Sequence, residues 1–584
     1  MAAQPNCPEV ASTWLAGFRA FIERSDAAGA AACFHVSAYL RDILVFTWSN
    51  RTLQGNAKIT AYLADNLAKA AITDVKLDHR MHLSPSFMHM AGCVVSGFTF
   101  ETAVGPGQGY FFLKAGSSGE WKALSVFMTL ADIRGHEESG PEQGTYGGHT
   151  LAWVDVDRER RLKIEQDPHV LIIGGGQTGL NIGARFKQMN IPSIIIEKTA
   201  RVGDVWRQRY PTLTLHSIKN QHAMLYQPFP SNWPNFTPRD KLAQWMEQYA
   251  LSGDLVVWNN SQALPTPTYD PVAKRWTVVV DRNGQHVTLR PAHIVIAAGT
   301  LGTPYVPPMK DTERFTGTAL HTGAFRGAAP FAGKRVVVIG AGNSAADVCQ
   351  DAVHHGARSV TMVQRSSTCI MAAASAAETQ ARFWPDGVPT EIADFKLNAM
   401  PTLMVKQIMC SMEATFWEKE KETHAGLREA GLKLNMGADG SGAYLLMFER
   451  FGGFWLDVGC AQLIRDGKVQ VKQGVEPVGY TEDSIVFTDG SSLPADVVVF
   501  ATSYNSIRDD LRQLFTDEVI DRTSPLWGID EEGELRGCYR SSGQPHLWFA
   551  AGNFAISRFF SKQLVRAHPT LCAAGLSNDC RRWR

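Results

Sequence analysis

The chain has 584 residues, 45% hydrophobic and 20% charged, which is apolar enough for several buried cores and excludes a largely disordered polymer. Lysine plus arginine and aspartate plus glutamate each number 57, so the formal charge is zero and nothing draws the chain to nucleic acid or an anionic membrane. No stretch reaches the roughly 18 apolar residues of a membrane span, the first residues lack a basic and apolar leader, and the ten cysteines show neither a CxxC pair nor a Cys/His spacing for metal. A cytoplasmic protein with no metal centre is expected, and the length suggests about four ordinary domains.

Residues 10–70 read as helices. WLAGFRAFIERSD and, behind a break at Gly55 and Asn56, ITAYLADNLAKA carry apolar residues at helical spacing. Residues 75–132 alternate instead, in VKLDHRMHL, CVVSGFTFET, GYFFLKA and WKALSVFMTLADI, which predicts an antiparallel meander. Helices followed by a curved sheet, with YLRDILVFTWSNRTLQGNAKITAYL between them, resemble the NTF2-like (SnoaL-like) cone fold. The resemblance implies an α+β unit over 1–134, in a group where some members are enzymes and many are docking modules. His35, Asp42 and Trp48 are candidates to line a pocket there; the competing reading is a packed appendage or one that pairs two copies into a homodimer. Residues 135–168 are polar, rich in Gly and charge and poor in apolar periodicity, and read as a surface linker.

HVLIIGGGQTGLNIGARFKQMNIPSIIIEK holds the strongest local pattern. Val170–Ile173 is an apolar strand. Gly174, Gly176 and Gly179 then form GxGxxG at the start of a helix, with Gly175, Gln177 and Thr178 completing the turn. Glycine lets the backbone turn sharply and approach a pyrophosphate, whose charge the free N–H groups of the helix start can hold. A second strand, Ser193–Ile196, ends in Glu197, placed to accept hydrogen bonds from ribose hydroxyls. A carboxylate there repels a 2′-phosphate, so this turn suits FAD or NAD and not NADP.

GKRVVVIGAGNSAADVCQDAVHHGARSVTMVQRSS repeats the design. Val336–Ile339 is the strand, Gly340 and Gly342 make the turn, Ala345 stands in place of the third glycine, and Asn343, Ser344 and Asp347 lie on the helix that follows. The second strand, Ser359–Val363, ends in Gln364 and Arg365. A guanidinium at that place can pair with a 2′-phosphate and stack on adenine, which predicts an NADP site. Two such units of opposite 2′ preference in one chain predict electron transfer from NADPH to a bound flavin. The fold class expected is α/β, with two Rossmann-like domains beside the N-terminal unit.

Between the two turns, Phe315, Gly317, His321 and Phe325 fit FxGxxxHxxx(Y/F), and here the chain resembles the class B flavin-containing monooxygenases. RVGDVWRQRYPTLTLHS resembles the G-G-x-W segment that reaches the flavin, with Asp204 in place of the second glycine; it implies flavin contacts from Val205, Trp206, His216 and Ser217. IVIAAGTLGTPYVP and DVVVFATSYN resemble the two interdomain links, the second with Ser503 where glycine is usual. WFAAGNFAISRFFSK resembles the late segment that returns to the flavin, implying contacts from Gly552 and Asn553. LTLHSIK and QPFPSNWPNFTPRDKLAQWMEQYA are most similar to the group of plant indole-3-pyruvate monooxygenases and fungal homologues.

The resemblance spans roughly 165–570. It implies an FAD-binding domain over 169–334 that resumes at 501–584, and an NADP-binding domain over 335–500 with a partly helical insert near 370–445. It also implies the chemistry: NADPH reduces FAD, O2 adds to give a C4a-hydroperoxide, and one oxygen atom passes to a small organic substrate, in secondary metabolism. His216 is the candidate to contact that site; the signature residues Phe315, Gly317, His321 and Phe325 are expected to be structural. A Baeyer–Villiger monooxygenase is the alternative, though Arg326 follows Phe325 where that family usually carries Trp-Pro or Trp-Asp. A flavin reductase would need a reactive cysteine pair, which the spacing does not supply.

Overall fold

The computed structural model describes residues 5–89, 91–437 and 439–566. The N-terminal unit is a seven-stranded sheet in the order 50–54, 34–43, 121–130, 106–115, 93–101, 73–77, with 86–88 beside 93–101. The pairs from 73 to 130 are antiparallel, as the alternation predicts, but the last strand closes back parallel to 34–43. Helices Cys7–Ile22, Ala27–Ala32 and Asn56–Ala70 lie with this sheet around a core of Trp14, Phe18, Phe34, Phe98 and Phe111.

An all-helical 10–70 is therefore incorrect: Phe34–Ile43 and Asn50–Gln54 are strands. From Ala38 to Ile43 every residue is buried, because one face meets the unit's own helices and the other meets the rest of the chain. A strand covered on both faces loses the period-two signature.

The expected structureless linker contains a helix, Trp153–Gln166, with no buried residue. Ile164 packs on the core beside the first five-stranded sheet, and ion pairs run along the rest of the helix. Asp155–Arg158, Asp157–Arg161 and Glu159–Lys163 pair along it, and Glu165 accepts from Trp258 Nε1 at 2.7 Å.

Two five-stranded parallel sheets follow. The first runs 257–258, 193–196, 170–173, 293–296, 547–549; the second runs 318–321, 497–500, 335–339, 359–364, 469–473. In each, the strand leading into a Gly-rich turn is central, so the turn opens over the carboxyl edge where strand order reverses, the place such sheets offer a ligand. Between strands 359–364 and 469–473 the chain makes a helical excursion, Ala373–Phe383, Thr390–Asn398, Thr402–Ser411, Glu413–Lys419, Lys421–Glu429 and Gly442–Glu449, bounded by strands Thr368–Ala372 and Phe454–Asp457.

The N-terminal unit is bolted to this frame. Phe127 and Tyr110 pack on Phe395 with ring centroids 5.5 and 6.2 Å apart. Arg51 pairs with Glu532 at 2.7 Å, Arg41 with Glu534 at 2.7 Å, and Arg540 donates to Ser49 Oγ at 3.1 Å. The C-terminal helix Phe554–Arg566 is tied to the helical excursion by Arg558, which holds Asp394 through two 2.8 Å bonds with both side chains buried. No described helix is long and apolar enough to cross a membrane.

Candidate active site

The first turn begins at Gly174, whose φ of 113° favours glycine and whose notional Cβ would lie 2.5 Å from the Ala297 carbonyl oxygen. At Gly179 a Cβ would fall 1.9 Å from the Gly174 oxygen, so helix Gln177–Gln188 can approach its strand only without a side chain. Gly176 differs: nothing lies within 4 Å of its notional Cβ. That open cradle, at the start of a helix with uncapped N–H groups, fits a dinucleotide pyrophosphate. Glu197 lies at the strand end and accepts from Gly175 N at 2.9 Å and Thr199 N at 2.8 Å. Thr178 is buried behind the turn, and Gln177 donates to the Gly552 oxygen at 3.3 Å. Gly552 has φ 111°, and Asn553 caps the C-terminal helix by accepting from Ile556 N at 3.0 Å.

Asp204, where glycine is usual, is buried and accepts from Arg207 at 2.8 Å and Arg201 N at 3.1 Å, so it fixes the loop that presents Trp206. Trp206 Nε1 is buried without a hydrogen-bond partner among the described residues, a donor left for a bound group. Val205, by contrast, is 51% exposed.

The second turn repeats the geometry. Gly340 has φ 123°, with a notional Cβ 2.5 Å from the Ala501 oxygen, and Ala345 is fully buried. Gly342 and Ser344 are half-buried on the turn; Asn343 accepts from Leu456 N at 2.9 Å, which brings strand Phe454–Asp457 against it. Gln364 belongs to the strand and is buried, bonded to Thr368 and Lys433. Arg365 is the first residue beyond, its side chain 71% exposed and only 3.8 Å from Glu476.

The signature residues lie at and beside strand 318–321, the edge of the second sheet. Phe315 stacks on Tyr480 at 4.7 Å, and at Gly317 a Cβ would meet Phe315 at 2.5 Å. His321 Nδ1 accepts from Gly323 N at 3.0 Å while Nε2 lies 2.9 Å from the Ser503 oxygen, so Nε2 carries the proton. Burial pushes its pKa down and keeps the ring neutral. Ser503 adopts φ 71°, the left-handed conformation that explains the usual glycine there. Phe325 is buried against Tyr210, whose hydroxyl donates to Asp347. Burial raises the Asp347 pKa.

Two cavities meet between the turns. One, of about 440 Å³, is lined by Gln177, Trp206, Ser217 and Asn553 from the first domain, Asn343 from the second, and mostly apolar residues of the helical excursion. The other, about 480 Å³, has Tyr210, Asp347, Gln350, Asp351 and His354 in its wall beside Leu215, Phe236 and Val458. His216 and Leu215, on strand Thr214–Ile218, line both and so form the partition. Behind the strand, His222 Nδ1 lies 3.1 Å from Ser217 Oγ and Nε2 lies 2.6 Å from Thr237 Oγ1. Burial, helped by the Arg558 charge, pushes its pKa down to about 3.

Among residues considered for an N-terminal pocket, none lines either cavity. Asp42 is enclosed, accepting from Tyr62 at 2.6 Å and Val45 N at 2.8 Å, and burial pushes its carboxyl up to about 7. His35 lies 3.1 Å from the Lys114 oxygen, and Trp48 packs into the shared core. The N-terminal residue that does reach the first cavity is Arg41, with Asn398 beside it, and neither carries a local sequence signal.

Residues 167–510 match the family model described as flavin-binding monooxygenase-like. Among curated relatives, the chain is 28% identical over 361 residues to the indole-3-pyruvate monooxygenase YUCCA1 of Oryza sativa subsp. japonica, covering 61% of this chain and 82% of that one. It is 27% identical over 345 residues to the probable indole-3-pyruvate monooxygenase YUCCA3 of Arabidopsis thaliana, covering 58% and 73%. A solved cyclohexanone monooxygenase with ε-caprolactone bound shares the fold at a TM-score of 0.50 and 15% identity, over 69% of this chain and 87% of that one. The eight cysteines described are free thiols, most of them buried. With its family model covering more than half of its length, the chain belongs to the FMO-like family of flavin-binding monooxygenases.

Proposed function

We propose that the protein is an FAD- and NADPH-dependent monooxygenase that places one atom of O2 on a small organic substrate in the first of the two cavities. One observation carries the reading: an open-cradle turn ending in Glu197 and a second turn ending in Arg365 flank a mainly apolar cavity. Gly174, Gly176 and Gly179 would hold the FAD pyrophosphate, Glu197 the adenosine ribose, and Trp206, Ser217, Gly552 and Asn553 the side facing the cavity. Gly340, Gly342 and Asn343 would hold the nicotinamide dinucleotide, with Arg365 choosing NADP(H) through the 2′-phosphate. Bound FAD supplies the two-electron carrier and the place where O2 is activated. The protein's own residues exclude water and hold the reactants together, so a mostly apolar wall with few ionisable groups suits the task. The net reaction consumes substrate, NADPH, a proton and O2 and yields oxygenated substrate, NADP+ and water.

The N-terminal unit is an NTF2-like cone; its helices packed in a closed-back curved sheet support that reading. Its open face is occupied within the chain by Phe395 and the 530–540 segment, which favours a built-in part of the enzyme over a free docking module.

The test is to purify the protein with its flavin, release and identify that flavin as FAD, and follow NADPH and 18O2 consumption with a panel of amines, sulfides and ketones. One labelled oxygen atom per NADPH in the product is the expected result. NADPH oxidation that yields only hydrogen peroxide with every substrate class would overturn it.

A further inference from the structure

We propose that the cavity lined by Arg41 is built for an uncharged, bulky, apolar substrate and against a carboxylate, because this guanidinium in its wall is already neutralised by Glu534. This deepens the monooxygenase reading and rests on it for the cavity's role as a substrate site.

Among the described residues that line this cavity there is no Asp, Glu or Lys, and Arg41 is the sole Lys/Arg cation. Arg41 is a guest in the wall, contributed by the N-terminal sheet and held by partners elsewhere. Its Nε and Nη2 donate to the two Glu534 oxygens at 2.7 and 2.9 Å, and Nη1 donates to the Asn398 carbonyl oxygen. The pair is closed on the other side as well: Glu534 Oε1 accepts from Thr52 Oγ1 at 2.7 Å. The Arg41 and Glu534 side chains are only 5% and 1% exposed. Burial opposes the Glu534 charge, but Arg41, Thr52 and Arg540 outweigh burial and hold its pKa below the usual carboxylate range, so the pair stays ionised and net neutral.

An anionic substrate entering here would leave water and meet a cation already engaged in a bidentate bond, with a second carboxylate directly behind it. The desolvation cost would have no matching Coulomb gain. A neutral apolar molecule meets the opposite situation. Met371, Met400, Met409 and Met447 contribute flexible, polarisable side chains to the wall, with Phe416 and Phe448 among the aromatic ones. Arg41 is thus a specificity-setting positioning residue: it fixes Asn398 and the 530–540 segment, and it brings no free charge to the cavity.

The experiment is equilibrium dialysis of the flavin-loaded protein against two probes of one shape, 4-methylphenyl phenyl sulfide and 4-(phenylthio)benzoate. Indole-3-pyruvate serves as a second anion. The sulfide is expected to bind at least tenfold more tightly than either carboxylate. Glu534→Gln, which uncovers the Arg41 charge, should raise affinity for 4-(phenylthio)benzoate about tenfold and leave the neutral sulfide within threefold. Tighter binding of a carboxylate to the unmodified protein, lost in Arg41→Met, would overturn the proposal, as would failure to bind the sulfide at all. The wild-type comparison decides the matter even where Glu534→Gln does not fold. If the sulfide binds with the expected preference but no amine, sulfide or ketone is ever oxygenated, the ligand preference of the cavity stands and the oxygen-transfer reading falls.

Discussion

Glu197 Oε2 accepts a hydrogen bond from the Gly175 amide at 2.9 Å, so the acid proposed to face the ribose also tethers the first Gly-rich turn. One consequence is that neighbouring glycines fail in different ways. Gly176→Ala puts a methyl group into open space, so the apoprotein should keep its Tm while FAD retention falls about tenfold or more, the methyl taking room the pyrophosphate needs. Gly179→Ala drives a methyl to 1.9 Å from the Gly174 oxygen and should destabilise the fold itself by roughly 1–3 kcal/mol. FAD-to-protein ratios and apoprotein melting curves separate the two; a Gly176→Ala protein that retains full flavin would remove the cradle from the account.

Arg365 is exposed and weakly engaged, 3.8 Å from Glu476, so its guanidinium is available to a ligand. Arg365→Ala should raise the KM for NADPH by about one to two powers of ten, the worth of a charge-assisted contact of roughly 1.5–3 kcal/mol, with little change for NADH. Steady-state kinetics with both nucleotides checks this. Equal losses would show that Arg365 does not read the 2′-phosphate.

The parts of the fold visible from sequence are those whose signals are local. The strands at 170–173, 193–196, 335–339 and 359–364 are short runs rich in Val and Ile next to glycines or a terminal acid or arginine, and the structure has them where the pattern puts them, Arg335 and Gln364 each extending one by a residue. What was illegible depended on remote partners. Strand Phe34–Ile43 looked helical because both faces are covered, one of them by residues hundreds of positions away. Helix Trp153–Gln166 has no apolar stripe to read. The cavity wall joins Arg41 to Glu534 across 493 positions, and no periodicity reports such a pair.

His222 ties stability near the site to pH. Its folded pKa of about 3 lies below the ordinary 6.5, so the unfolded chain takes up the proton first. The stabilisation is complete above pH 6.5 and is lost as pH falls toward about 3, amounting to about 2 kcal/mol between pH 7 and 5. His222→Gln keeps a neutral donor and acceptor for Ser217 and Thr237 and should flatten this part of the pH profile. Urea midpoints at pH 7 and 5 for both proteins measure it. A variant as acid-sensitive as the wild type would place the titration elsewhere.

His216 lines two cavities, and the second carries Asp347, Gln350, Asp351 and His354 in its wall. Removing the ring in His216→Ala should join them and let water held by those groups reach the end of the first cavity near Gln177 and Trp206. For a monooxygenase the cost of that water is uncoupling, so the share of NADPH that ends as hydrogen peroxide should rise severalfold while flavin reduction stays within about twofold. The size of the ring and its chemistry can be told apart. If His216 acts only as a partition, His216→Phe restores coupling and Leu215→Ala, which opens the same wall, reproduces the leak. If it acts by donating a hydrogen bond, His216→Phe leaks as badly as His216→Ala, and His216→Gln recovers part of the loss. Peroxide and product measured against NADPH consumed in the four variants decide between them, and unchanged coupling in all four would remove His216 from the chemistry.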